Sequence, residues 1–274
     1  MLKKVLKYDF RSVFRYWWIA AVSSLVLSLL GSACMCLLNS ERALPTVVEV
    51  SAILVLILVF LSYGAFVFLS LILIFLRFYK NFFTDEGYLT FTLPVRRSQL
   101  LNSKLIMSVV AIIGTYIVCG INLVVMCCIG FSKDVFTQEF WNGLAEGWKI
   151  LVGDLGIYVW IYLLEILALL ILSTIFTCLF LFCCVTFAAI ITKKAKVIAA
   201  IGIYYGASTV FSFVVEILML FAIPSFTNWV SKVGNMENPL FALGMLGLIF
   251  FMAIFCMLLY TLQYWMIDRK LNLS

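Results

Sequence analysis

Six long apolar runs, parted by short polar stretches, set the rhythm of the chain. They cover residues 17–38, 50–76, 105–131, 155–192, 197–223 and 240–267. Each is long enough to cross a bilayer as a helix, which takes about 20 residues. Backbone in lipid has no water to bond to, so each run predicts one transmembrane helix. Pro45, Pro94, Pro224 and Pro239 all fall between the runs, where a missing N–H interrupts no span. The fourth run would measure about 57 Å as one straight helix, so a break near its outer third is expected.

Two of the polar stretches carry a helical period of their own. In residues 1–16 and the start of the first run, Leu2, Val5, Leu6, Phe10, Val13, Phe14 and Trp17 recur at steps of three and four, with Lys4, Lys7, Arg11 and Arg15 on the other side. This pattern predicts an amphipathic helix lying in the membrane plane, its basic face toward headgroups. Asp9 falls near the apolar face and calls for an arginine partner. In the 132–154 connection Phe136, Phe140, Leu144, Trp148 and Leu151 repeat in the same way. With Trp141 and Trp148, residues that settle at a headgroup boundary, they predict an outer interfacial helix.

Composition makes lipid the solvent. With 65% hydrophobic and 12% charged residues and a mean hydropathy of +1.17, the chain lacks the charge that a water-exposed globular surface needs. The fold expected is all-α and membrane-integral, with six transmembrane helices. Fifteen of the nineteen Lys and Arg fall on one side of that layout, leaving Arg42, Lys133, Lys149 and Lys232 on the other. The excess places both termini and the 78–104 connection in the cytoplasm. A net charge of +6 spread over membrane-edge segments is then a topological signal, and nucleic acid is not an expected partner. The first run is expected to be retained, since the "LGSAC" at 30–34 only half resembles a lipoprotein cleavage box.

Candidate chemistry is sparse. The chain has no histidine, which removes histidine acid–base pairs, triads and metal sites. Its nine cysteines lie in or at the ends of the runs, with Cys127-Cys128 and Cys183-Cys184 adjacent rather than spaced as ligands, so they are expected to pack as small hydrophobes. A disulfide among Cys34, Cys36, Cys127 and Cys128 is conceivable. No catalytic residue, metal site or bound cofactor is expected. Gly202 and Gly206 allow close backbone approach in the fifth run, without locating an interface. Two carboxylates lie within runs. At 1.5 Å per residue Glu216 stands about 28 Å above residue 197 and Glu165 about 40 Å above residue 192, so both fall near or beyond the outer edge of a hydrocarbon layer about 30 Å thick. Glu165 and Glu216 are the candidates for an outer vestibule that passes a cationic or amphipathic substrate; pairing with Lys149 or Lys232 is the alternative.

The 78–104 connection is the most distinctive segment. In "TDEGYLTFTLPVRRSQLLNSK", Thr84, Asp85 and Glu86 make a helix start with carboxylates at its positive end, Pro94 ends that helix, and Ser98 can cap a second one. The order Glu86-Gly87, then Pro94-Val95-Arg96-Arg97, then Leu100-Leu101 and Lys104 resembles the cytoplasmic loop of ABC type-2 exporter permeases. Tyr88 after the glycine and Asn102-Ser103 before the lysine depart from that pattern.

The resemblance implies a short coupling helix that fits a cleft in a separate ATP-binding subunit. Asp85, Glu86, Gly87, Leu93, Pro94, Arg96 and Arg97 would be the contact residues. It further implies two copies of that ATPase, carrying ATP and Mg, a second permease chain, identical or related, and a bacterial cytoplasmic membrane. The chain has no Gly-x-x-x-x-Gly-Lys-Ser/Thr phosphate loop, in keeping with an ATPase on another chain. Two function classes follow: permease subunit of an ATP-driven exporter of hydrophobic, amphipathic or peptide substrates, or a non-transporting membrane sensor or immunity scaffold of the same fold.

Overall fold

A computed structural model describes residues 2–40, 45–84, 97–135, 137–192, 196–233 and 237–269. All regular structure among them is helical: α1 (Leu2–Leu38), α2 (Thr46–Phe83), α3 (Arg97–Gly130), the single turn α4 (Ser132–Val135), α5 (Gln138–Leu155), α6 (Tyr158–Ile191), α7 (Lys196–Val233) and α8 (Glu237–Arg269). Six of them, all but α4 and α5, are long and apolar enough to cross a membrane. The chain is thus a multi-pass, all-helical membrane protein.

Four boundaries differ from those expected. The lead and the first run form one continuous helix, Leu2–Leu38, with no joint near residue 16. The physical reason is that the apolar face of the lead packs on protein: Phe14, Trp17 and Ala21 join a cluster with Phe66 and Leu73 of α2, and Val118 and Cys119 of α3. Pro224 lies inside α7, which runs on to Val233; its missing N–H removes only the bond to the carbonyl four residues back, and the flanking turns hold. Pro239 sits in the first turn of α8, where its N–H has no intrahelical partner to lose. The fourth run is broken at its outer edge rather than in its outer third: Gly156, at φ +56°, separates α5 from α6. Only glycine adopts that left-handed backbone without penalty, and α6 then continues unbroken.

The chain divides into two compact units, residues 1–77 with 106–150 and residues 78–105 with 151–274. In the first, α1 is held by hydrogen bonds that reach across helices. Trp17 Nε1 donates to Thr115 Oγ1 at 2.9 Å, and the Ser70 and Thr115 hydroxyls lie 2.9 Å apart. Two turns further along, Ser28 donates to the Asn122 carbonyl at 2.7 Å and Asn122 Nδ2 donates to Ser24 Oγ at 2.9 Å. Such bonds add to packing between helices that gain no hydrophobic drive from lipid. Beyond them Val59, Tyr63 and Met126 form a second cluster with Met35.

Glycine is required where α1 and α3 meet. A Cβ on Gly130 would stand 2.6 Å from Met35 Cβ, a distance that no rotamer change relieves. Gly130→Ala is therefore expected to cost about 1–3 kcal/mol, the usual range for overpacking, measured as a lower unfolding midpoint in mixed micelles. Gly120→Ala, where nothing lies within 4 Å, serves as the control that leaves it unchanged.

In the second unit α6 packs against both α7 and α8. The rings of Phe78 and Phe182 stack with centroids 4.0 Å apart, and Gln263 Nε2 donates to Thr186 Oγ1 at 2.7 Å in an interior that leaves Gln263 fully buried. Cys183 and Cys256 turn their thiols toward the carbonyls of Leu259 and Leu172. All nine cysteines are free thiols, including the four for which a disulfide was conceivable.

Candidate functional site

Of the coupling-segment candidates, Asp85, Glu86, Gly87, Leu93, Pro94 and Arg96 lie outside the described residues, and Arg97 opens α3. The flanks of the segment are described, and both are anchored. At the end of α2 the Thr84 hydroxyl donates back to the Lys80 carbonyl, so Thr84 closes that helix. Asn81, Phe78 and Phe82 are buried beside it. At the start of α3, Leu100, Leu101, Ser103 and Lys104 are all buried. Ser103 donates to the Leu100 carbonyl at 2.9 Å, and Asn102 Oδ1 accepts from Tyr260 Oη of α8 at 2.8 Å. Asn102 thus fastens the first turns of α3 to α8.

Lys104 was read as one more basic residue of a polar connection, yet it is 2% exposed. A buried lysine is rare, because removing an ammonium from water is costly unless polar groups surround it. The signal that could have found it is its position two turns inside α3, at the point where the apolar run begins.

On α1, Lys7, Arg11 and Arg15 are exposed, and Lys4 shares their helix. On the same helix Asp9 is buried and accepts an ion pair from Arg77 of α2, with Nη2 3.1 Å and Nε 3.2 Å from one carboxylate oxygen. Arg77 is the arginine that the placement of Asp9 calls for.

Glu165 and Glu216 do not share an environment. Glu165 of α6 is 4% exposed, and neither carboxylate oxygen has a hydrogen-bond partner among the described residues. Tyr162 lies one turn before it, with its ring edge-on to Phe241 of α8 at 5.6 Å. Glu216 of α7 is exposed. A single vestibule lined by both carboxylates is not what these positions present.

The 132–154 connection does contain a helix, α5, and none of its residues is buried. Phe140, Trp141, Leu144, Trp148 and Leu151 are exposed along it, while Phe136 lies outside the described residues. On α2 a shallow groove of about 590 Å³ is lined by Ile57, Phe60, Leu61, Gly64, Ala65 and Phe68; its walls carry no group able to do chemistry. No group of three or more Cys, Asp or Glu among the described residues could hold a metal ion. No family model, no curated protein and no solved structure matches the chain.

Proposed function

We propose that this chain is the membrane-spanning permease subunit of an ATP-driven exporter, energised through the segment between α2 and α3 by a separate ATP-binding subunit. The observation that carries the reading is the ordered set Glu86-Gly87, Pro94-Val95-Arg96-Arg97, Leu100-Leu101 and Lys104, set between the second and third of six apolar helices. The anchoring of both flanks suits this role. A push on the segment reaches α2 through buried Phe78 and Phe82, and α3 through buried Leu100 and Leu101. Rigid, packed ends transmit displacement, whereas a loose connection would absorb it.

In this reading the segment faces the cytoplasm of a bacterial cell, two ATPase copies supply ATP and Mg, and a second permease chain completes the path. The substrate is hydrophobic, amphipathic or peptidic, because the chain offers it little charge. The exposed basic residues of α1 face anionic headgroups.

Glu86→Lys and Arg96→Glu are each expected to reduce substrate-stimulated ATP hydrolysis by about tenfold or more, since reversing a charge in a desolvated contact costs several kcal/mol. The measurement is ATPase activity of the chain reconstituted with the ATP-binding subunit that copurifies with it. Copurification without stimulation, indifferent to both substitutions, would instead identify a non-transporting scaffold.

A further inference from the structure

Two buried polar atoms of the first unit have no hydrogen-bond partner among the described residues: the hydroxyl of Tyr63 on α2 and Oδ1 of Asn122 on α3. Tyr63 is 9% exposed and Asn122 1%. A polar group shut away from water and left unbonded is costly, and within a bilayer no bulk water stands by to relieve it. Protein interiors therefore pair such groups, with protein or with ordered water.

The contacts around these atoms bring them to one level of the bundle. At a first level Trp17 bonds to Thr115, Thr115 meets the Ser70 hydroxyl, and Trp17 packs on Phe66. At a second, a Cβ on Gly31 would stand 3.0 Å from Val59 and 3.3 Å from Met126. Ser24 and Ser28 on α1, Tyr63 on α2 and Asn122 on α3 all fall between the two. Tyr63 belongs to the cluster of Val59 and Met126, against which Cys119 also packs. Cys119, Asn122 and Met126 follow one another at steps of three and four and so share a face of α3. Asn122 stands between two residues that meet the Tyr63 cluster.

The other polar atoms of this level have their protons committed. Asn122 Nδ2 donates to Ser24 Oγ, the Ser24 hydroxyl to the Ala21 carbonyl, and the Ser28 hydroxyl to the Asn122 carbonyl. What is left over is complementary, since Tyr63 Oη has a proton to give, Asn122 Oδ1 can only accept, and Ser28 Oγ keeps lone pairs. Tyr63 and Asn122 do not bond to each other. We infer that one ordered water molecule is bound between α2 and α3 at this level, accepting from Tyr63 Oη and donating to Asn122 Oδ1, with Ser28 Oγ as acceptor for its second proton. Three partners are the usual complement of a buried water. At the Trp17 level α2 reaches α3 directly, through Ser70; here it does so through the water. The inference stands on the first unit alone and is independent of the exporter reading.

Crystals of the full chain grown from a lipid mesophase, diffracting well enough to show ordered water, are expected to carry one solvent peak about 2.8 Å from both Tyr63 Oη and Asn122 Oδ1. Unfolding in mixed micelles gives a second reading. Tyr63→Phe is expected to lower the ratio of folded to unfolded chain about fivefold, and to change it by about twofold at most in the Asn122→Leu background, where the water has lost its acceptor. Density that shows Oη directly on Oδ1, or no solvent peak touching both, would overturn the inference. Equal losses in the two backgrounds would overturn it as well, because the two groups would then share no partner. A Tyr63→Phe chain as stable as the unaltered one would show that the hydroxyl is bonded to nothing. The density needs no variant, so it decides the matter even where Asn122→Leu does not fold.

Discussion

Arg77→Met is expected to destabilise the protein by about 3 kcal/mol, because it leaves the carboxylate of Asp9 in an interior site without its guanidinium. The Asp9 side chain is 2% exposed and that of Arg77 22%. Removing the arginine leaves a buried carboxylate short of its cation, while removing both ends leaves two apolar groups that pack. Asp9→Leu alone should therefore also destabilise, by less, since the arginine left behind still reaches solvent. Asp9→Leu with Arg77→Met together should recover to within about 1 kcal/mol of the unaltered chain. Unfolding in mixed micelles with increasing dodecyl sulfate measures all four corners of the cycle. Simple additivity of the two single changes would show that the pair does not hold α1 to α2.

That pair also marks where the sequence is readable and where it stops. The apolar runs are legible because lipid demands about 20 apolar residues per crossing, and all six reappear as helices. Which side of each helix meets protein is hardly legible, because lipid accepts the same side chains that a packed interior does. Phe14 and Trp17 lie on an apolar stripe that a membrane surface could cover as well as α2 and α3 do, so the lead looks like a separate interfacial helix until its contacts are known. Asp9 carried the missing information, since a carboxylate on that stripe needs a cation that lipid cannot provide.

Polar residues inside the runs mislead in the same way, because charge tells of cost and says nothing of remedy. Gln263 is fully buried against Thr186, while of the two carboxylates in the runs Glu165 is buried and Glu216 is exposed. Pro224 shows the limit of a local rule. It signals a helix end, yet α7 continues through it, since one lost bond among dozens of intact ones does not unwind a long apolar helix.

Glu165 is the second position where a large effect is expected, and its sign is opposite to that at Arg77. A carboxyl group with both oxygens buried and unbonded is a net cost to the fold, of about 1–3 kcal/mol for each unsatisfied polar group and more for a charge. Glu165→Leu removes that cost with a side chain of similar bulk and should raise the unfolding midpoint, whereas Glu165→Gln keeps a buried amide without partners and should change it little. Proteins retain such strained groups where they serve a site. If α6 turns Glu165 toward a passing cationic substrate during export, both substitutions should depress transport into inverted vesicles, the stabilised leucine variant most of all. Stability and transport are then expected to move in opposite directions in Glu165→Leu. A variant that is more stable and exports at the full rate would remove Glu165 from the transport path and leave only its cost to the fold.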